Sequence, residues 1–497
     1  MIQPMRKLPL LLLALPSLAM ADLHYWVRPD LPAKSIRVAV KIDDAKEREE
    51  LRIPAWCPGF YFLLEYQKKI SDVRATGADG AVLNVSPKPG DPRAWIVENP
   101  SQGPVTFSYS VLGDDGGLGF FGVSVKNHTT FINGPSAFVY PVGRLLEPTF
   151  LKLNLPSDWK VATGMTFGKD GWYEAGGYDE LIDHPLQLGI FETRRFNVEG
   201  VPFEAVFVAP TPAGHRANLD DEAERLRKLS IPAMKLFGGI PAKKYVYLIH
   251  LASGDFGGGL EHRASTVMSV ENTKQLGIDT LATHEFFHTW NVKQQRPAVL
   301  GPFDYTQPVR TKNLWFAEGV TDYYANITAY RGGLMSQEEL LRTLGNEIRT
   351  LQASKTRRTK TLEDTSMQAW ENGGFGVGDL SYYNKGLVAG LVLDAAIRSA
   401  TEGRMSLDDV QRLLYKKHAL PKAGYSENGI LEAINEIAED DLTAVYNQTV
   451  RTTKEVPYEL LAGIGLSVRG TGNQLRLVID EKAGPAQRAR LREWLAR

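Results

Sequence analysis

Two histidines four residues apart enclose a glutamate in the run Thr280-Leu281-Ala282-Thr283-His284-Glu285-Phe286-Phe287-His288-Thr289-Trp290. The run reads as an amphipathic helix, on which residues four apart share one face, one turn from each other. Both imidazoles then reach a single ion at about 2.0–2.1 Å, the distance at which zinc takes a nitrogen ligand. Glu285 leans over the open side, where a water would sit, which is the arrangement of a zinc hydrolase. An ordinary helix with two chance histidines is the plain alternative. With nine His in 497 residues, such a match arises roughly once in a hundred chains of this make-up.

A catalytic zinc needs a third protein ligand and one open position. Thirty residues after His288, Glu318 stands in a second helical segment, Asn313-Leu314-Trp315-Phe316-Ala317-Glu318-Gly319-Val320-Thr321-Asp322. A solvated helix carboxylate is the bland reading. The apolar flank argues against it, because a carboxylate buried there needs a partner, and a metal is one. Asp322 lies one turn further on the same face. Metal-bound histidines donate their other ring N–H to an acceptor, and Asp322 suits that role towards His284.

Two further segments can face such a centre. Gly257-Gly258-Gly259-Leu260-Glu261-His262 follows the apolar strand-like run 245–250. Gly258 and Gly259 permit close approach of backbone to a ligand. Glu261 can take the free ammonium group of a peptide, although a Gly-rich turn with an exposed Glu fits these residues equally well. Tyr382-Tyr383-Asn384-Lys385-Gly386 opens an apolar helix. A phenol there can steady the oxyanion of a tetrahedral intermediate, and two packed tyrosines at a helix start are the simpler reading.

Taken together, these segments resemble a known family. Trp290-Asn291-Val292-Lys293 and Arg296-Pro297 continue the histidine motif. With 258–262, Trp315-Phe316-Ala317-Glu318-Gly319, 382–386 and the N-terminal Ile53-Pro54-Ala55-Trp56-Cys57-Pro58-Gly59-Phe60-Tyr61, the chain looks like the glycyl aminopeptidase family of gluzincin zinc metallopeptidases. The resemblance reaches from the start of the mature chain to about residue 465. It implies one Zn2+ per chain on His284, His288 and Glu318, Glu285 as the base, Glu261 on the substrate amine and Tyr383 at the oxyanion. Tyr382 is the rival if the register is off by one. It also implies a preference for small N-terminal residues, Gly or Ala. Members carry a C-terminal PDZ domain, and here the sequence departs. Only about forty residues follow Leu461, too few for such a module, so residues 456–497 read as a PDZ remnant with one strand at 474–479 and a polar helix from 485.

Met1 to Lys7 is basic, residues 8–15 are apolar, and Ala19-Met20-Ala21 is a small-residue cleavage site. This reads as a secretory signal peptide, cleaved after Ala21, for a periplasmic or secreted protein. The single cysteine, Cys57, excludes an internal disulfide. A net charge of −1 without a basic block argues against nucleic acid, and no segment suits membrane insertion.

The expected fold is a multidomain α+β architecture. Residues 22–195 alternate in short strands broken by Gly, Pro and Asp, which suggests an antiparallel β-sandwich. Residues 196–455 form the catalytic domain, thermolysin-like by resemblance and largely helical in its C-terminal part, with a helix over 221–237 that Pro232 can break. The function expected is an exported zinc aminopeptidase acting on peptides with a free N-terminus, by attack of a zinc-activated water with Glu285 as general base. A zinc endopeptidase or oligopeptidase is the alternative, and a non-catalytic peptide-binding protein the remoter one.

Overall fold

The computed structural model describes residues 22–496, apart from 115–120, 169, 253–256 and 372. The expected signal peptide, residues 1–21, lies outside the described residues. No helix among those described is long and apolar enough to cross a membrane.

The first strand, Leu23–Asp30, shows how the N-terminal part is built. Leu23, Tyr25 and Val27 are buried and alternate with more exposed residues, the period of a strand with one face on a core. It pairs antiparallel with Ser35–Ile42 and parallel with Thr149–Leu153, inside an eleven-stranded sheet. That one parallel pairing departs from the antiparallel expectation, because the chain returns to this edge only after more than a hundred residues. A four-stranded sheet that includes Thr129–Ile132 and Leu186–Gly189 shares an apolar core with the first. Tyr25, Val38, Phe107, Ile132 and Leu188 all lie in it. A short helix, α1 (Tyr178–Ile182), packs into the same core.

The expected junction at residue 195 falls within a strand. Glu192–Val198 folds back on Val201–Val208 through Glu199 and Gly200, both with positive φ (48° and 86°). Two left-handed central residues make a turn whose twist matches the strands it joins. The resulting hairpin opens a third, five-stranded mixed sheet. Its middle strand, Tyr245–Ala252, is parallel to both neighbours, and Gly258–His262 forms one edge.

Helices cover this sheet and then dominate. They are α2 (Leu219–Phe237), α3 (Asp279–Phe287), α4 (Val320–Arg331), α5 (Gln337–Ala353), α6 (Leu362–Met367) and α7 (Tyr382–Ala400), followed by α8 (Leu407–His418), α9 (Gly429–Ala438), α10 (Thr443–Tyr446) and α11 (Pro485–Trp494). Helix α2 runs unbroken through Pro232, against expectation. Its buried face of Leu226, Leu229, Ala233 and Met234 spans the proline, so packing outweighs the lost backbone bond. The C-terminal segment carries two strands rather than one, Leu466–Arg469 and Arg476–Ile479. Helix α11 is not wholly polar. Its Trp494 is buried and donates to the Tyr323 hydroxyl at 2.8 Å.

Candidate active site

Helix α3 carries the histidine motif, and it is enclosed rather than amphipathic: every residue from Ala282 to Phe287 is buried. Phe286 meets Tyr245 of the sheet edge-on at 4.8 Å, and Phe287 stacks on Tyr324 of α4 at 4.4 Å. Aromatic contacts on both sides fix the rotation of α3 and leave His284, Glu285 and His288 turned towards one another's surroundings in the cleft.

The two Nε2 atoms lie 2.9 Å apart. Glu318 Oε2 stands 3.5 Å from that of His284 and 3.2 Å from that of His288. The other ring nitrogens are engaged. His284 Nδ1 is 2.7 Å from Asp322 Oδ1, and His288 Nδ1 is 2.7 Å from the Asn291 carbonyl. A carbonyl only accepts, so the proton of His288 sits on Nδ1, and the Asp322 carboxylate draws that of His284 likewise. Each Nε2 then presents a lone pair, and three lone-pair atoms converge on one buried point. That arrangement is repulsive without a cation. Tetrahedral zinc places its donors about 3.3 Å apart, so the donor set fits this metal. The negative groups around this point favour a positive charge there, whether a proton or a metal ion. Burial works against charge on His284, yet Asp322, Glu318 and Glu285 outweigh it and hold the imidazole well above its ordinary range. Burial likewise opposes ionisation of Glu318, and the two imidazoles outweigh it and hold the carboxyl low.

Local backbone explains how Glu318 arrives there. Trp315–Gly319 forms a π-turn that runs into α4, and such turns re-aim side chains within helices. Gly319 lies against Gly386 of α7. A Cβ on Gly319 would stand 2.5 Å from Gly386 Cα and 2.5 Å from the Tyr382 carbonyl oxygen. Two glycines therefore let the Glu318 segment and α7 touch backbone to backbone. Helix α7 begins at the Ser381 cap, whose hydroxyl accepts from Tyr383 N at 3.1 Å.

A cleft of about 900 Å3 lies over His284 and Glu285, and Tyr383, Gly258 and Gly259 line it. The Tyr383 ring stacks near His284 at 6.1 Å. Tyr382 is fully buried, and its hydroxyl donates to the Gly374 carbonyl. Gly259 has no room for a side chain, which would strike the Glu285 carboxylate. Burial pushes Glu285 up to about 7, His284 and His288 pull it down, and Glu261 and Glu318 add to the rise.

Glu261 is 4 % exposed, and its carboxylate lies within 4.8 Å of ligand atoms of Glu285 and His288. The N-terminal loop reaches it. Gly59 has φ 93°, and a Cβ there would stand 2.7 Å from both Glu261 carboxylate oxygens. Phe60 and Phe121, stacked at 4.1 Å, line the cleft beside it. The residues singled out in the sequence thus come together in one place. Sequence reasoning missed the Asn291 carbonyl, because a backbone acceptor has no residue signature. Gly59 stands out only as part of a motif, and nothing in the sequence marks Phe121.

Comparison with known proteins places this arrangement. The M61 glycyl aminopeptidase model matches residues 278–389, and the Peptidase M61 N-terminal domain model matches residues 24–190, together more than half of the chain. A crystal structure of an aminopeptidase N family protein from Idiomarina loihiensis is similar at TM-score 0.82 and 25% identity, over 90% of this chain and 79% of that one. An M1 zinc metallopeptidase from Deinococcus radiodurans is similar in fold at TM-score 0.53 and 15% identity, over 88% and 93% of the two chains. A variant of the Deinococcus enzyme, bound to a Tyr-Ser-Ala substrate, is similar at TM-score 0.53 and 15% identity, over 88% and 94%. Comparison with curated proteins finds no match. The chain belongs to the M61 glycyl aminopeptidase family and is a zinc metallopeptidase of the aminopeptidase type.

Proposed function

We propose that the chain removes single residues, Gly or Ala by preference, from the free N-terminus of peptides, and that it acts after export to the periplasm or medium. His284, His288 and Glu318 hold one zinc, and Asp322 steadies His284. The observation that carries this reading is the convergence of two imidazole lone pairs and a buried carboxylate, beside two further carboxylates, Glu285 and Glu261. Zinc bound there supplies Lewis acidity, which polarises the scissile carbonyl and acidifies a water.

The protein's own groups do the rest. Glu285 takes the proton of the attacking water and returns it to the departing amine. Its position beneath Gly259 holds that carboxylate in the cleft rather than against solvent. Tyr383 donates a hydrogen bond to the carbonyl oxygen as that atom gains charge. Tyr382 is the weaker candidate, since Gly374 already takes its proton. Glu261, whose carboxylate lies within 4.8 Å of ligand atoms of Glu285 and His288, accepts the ammonium group, so cleavage falls after the first residue. Gly258 and Gly259 let the peptide backbone lie close to the wall. The preference for a small first residue rests on the family, and the Phe60–Phe121 stack lends the cleft an apolar wall. The domain reading that goes with this takes residues 1–21 as a signal peptide, a β-domain to about residue 191, the catalytic domain to 455 and a short C-terminal segment.

Hydrolysis of free and N-acetylated glycyl and alanyl peptides, with and without chelator, tests the reading. Activity should need metal and a free amine. Glu261→Ala and acetylation should not add, because each removes the same charge-assisted bond. Equal rates on free and acetylated peptides would make the protein an endopeptidase. No hydrolysis at full zinc occupancy would make it a binding protein.

A further inference from the structure

Behind Glu261 lies a set of buried charges that the reaction does not use. Lys293, in the stretch after α3, has a side chain only 6% exposed. Its ammonium donates to Asp183 Oδ1 at 2.9 Å and stands 3.7 Å from Glu261 Oε1. Asp183 caps the C-terminus of α1 in the N-terminal domain, so this ion pair joins the two halves of the protein. His262 Nδ1 approaches the same Asp183 oxygen at 3.3 Å. Glu261 Oε1 itself has no hydrogen-bond partner among the described residues.

Burial holds His262 below its ordinary range, Asp183 pulling the other way, and keeps it neutral. Burial pushes the Cys57 thiol up to about 12, which keeps it neutral too. Arg263, at the rim, pairs with Glu180 at 3.4 Å, and Arg296 faces Asp179. Glu285 and Glu318 belong to the metal centre. What remains is Lys293 against Asp183 and Glu261, one positive charge against two negative. Burial opposes charge on Lys293, and Asp183 and then Glu261 outweigh it. The pocket therefore carries one unbalanced negative charge.

We propose that Asp183 is a positioning residue that draws Lys293 off Glu261, so that the pocket keeps one negative charge for the substrate's ammonium group. The proposal rests on Glu261 as the amine anchor. Without Asp183, Lys293 would swing the short distance to Glu261 and neutralise it, in the place the substrate amine should take. A buried cation that loses its partner takes the nearest carboxylate, because an uncompensated buried charge is costly.

The test is a charge-count series in the full-length zinc enzyme, with KM and kcat read on free and N-acetylated glycyl and alanyl p-nitroanilides. Zinc content and thermal midpoint serve as folding controls. Asp183→Asn should raise KM for the free-amine substrates at least tenfold, with kcat changed much less, and should narrow the preference over acetylated substrates. Adding Lys293→Met to it removes both charges and should bring KM back to within a few fold of wild type. Lys293→Met alone should leave KM unchanged or lower, and this variant carries the test if Asp183→Asn does not fold. A merely structural ion pair predicts the reverse, a double variant no better than the single and a raised KM for Lys293→Met, and either result overturns the proposal. If the wild type does not discriminate free from acetylated substrates, it is the role of Glu261 that fails, which is a distinct outcome.

Discussion

Replacing Gly319 by alanine adds one methyl group at a point that touches no substrate, yet it should disable the metal centre. A Cβ there stands 2.5 Å from Gly386 Cα and 2.5 Å from the Tyr382 carbonyl oxygen. Carbon atoms pack at about 3.5–4.0 Å, so the Glu318 segment and α7 must part by roughly 1 Å. Both obstructing atoms are backbone in buried elements, so no side chain can rotate away. Overpacking of this kind costs about 1–3 kcal/mol, and the rigid contact puts this site at the upper end. Alanine returns about 1 kcal/mol through helix propensity. The net loss should be about 2 kcal/mol. The same displacement moves Glu318 relative to the two histidines, and metal ligands tolerate only about 0.2 Å, so zinc affinity should fall at least tenfold. Urea denaturation followed by tryptophan fluorescence reads the first effect, with Trp315 buried at the contact. Competition with a chromogenic chelator reads the second. Gly103→Ala is the control, since a Cβ there meets nothing within 4 Å. Wild-type stability and zinc affinity in Gly319→Ala would refute the claim that backbone contact at this point sets the metal geometry.

Four shorter tests follow from the same geometry. Glu318→Ala should bind zinc far more weakly, because two histidines leave the sphere incomplete; equal zinc by metal analysis would remove Glu318 from the ligand set. Glu285→Gln should keep its zinc and lose about 100- to 10,000-fold in kcat, and near-normal turnover would mean that another group is the base. Tyr383→Phe should cost about 100- to 1,000-fold in kcat, and Tyr382→Phe far less; a reversed order of the two would exchange their roles. Lys385 supplies a pH test. Its side chain is 2% exposed, its Nζ has no hydrogen-bond partner among the described residues, and burial brings its pKa from 10.5 down to about 8. Between those values the folded protein holds fewer protons than the unfolded chain, so stability rises with pH across that window. Below about pH 8 the buried charge costs about 3 kcal/mol. Lys385→Met should therefore stabilise the protein at pH 7 and flatten its rise in urea midpoint between pH 8 and 10, and an unchanged profile would contradict this.

Much of the site can be read from local pattern because its chemistry is local. A four-residue spacing places His284 and His288 on one helix face whatever that helix packs against. The apolar flank of Glu318 marks a carboxylate that must find a partner in the interior. The alternation of Leu23, Tyr25 and Val27 likewise marks a strand with one face on a core. Such properties follow from periodicity and desolvation, and they need no knowledge of distant residues.

Other features exist only because remote segments meet. The sequence of α3 reads as amphipathic, since the pattern of one helix does not reveal that aromatic residues of the sheet and of α4 close over both its sides. Pro232 reads as a break until the buried face that spans it is seen. The bond from the Tyr382 hydroxyl to the Gly374 carbonyl and the orientation of His288 by a backbone carbonyl have no signature in the sequence. Lys293 and Asp183, 110 residues apart in sequence, meet only in the folded chain. Neighbours along the chain decide helix and strand by their side-chain period. Long-range packing decides which polar atoms share a buried space, and the charge balance of that space belongs to the fold.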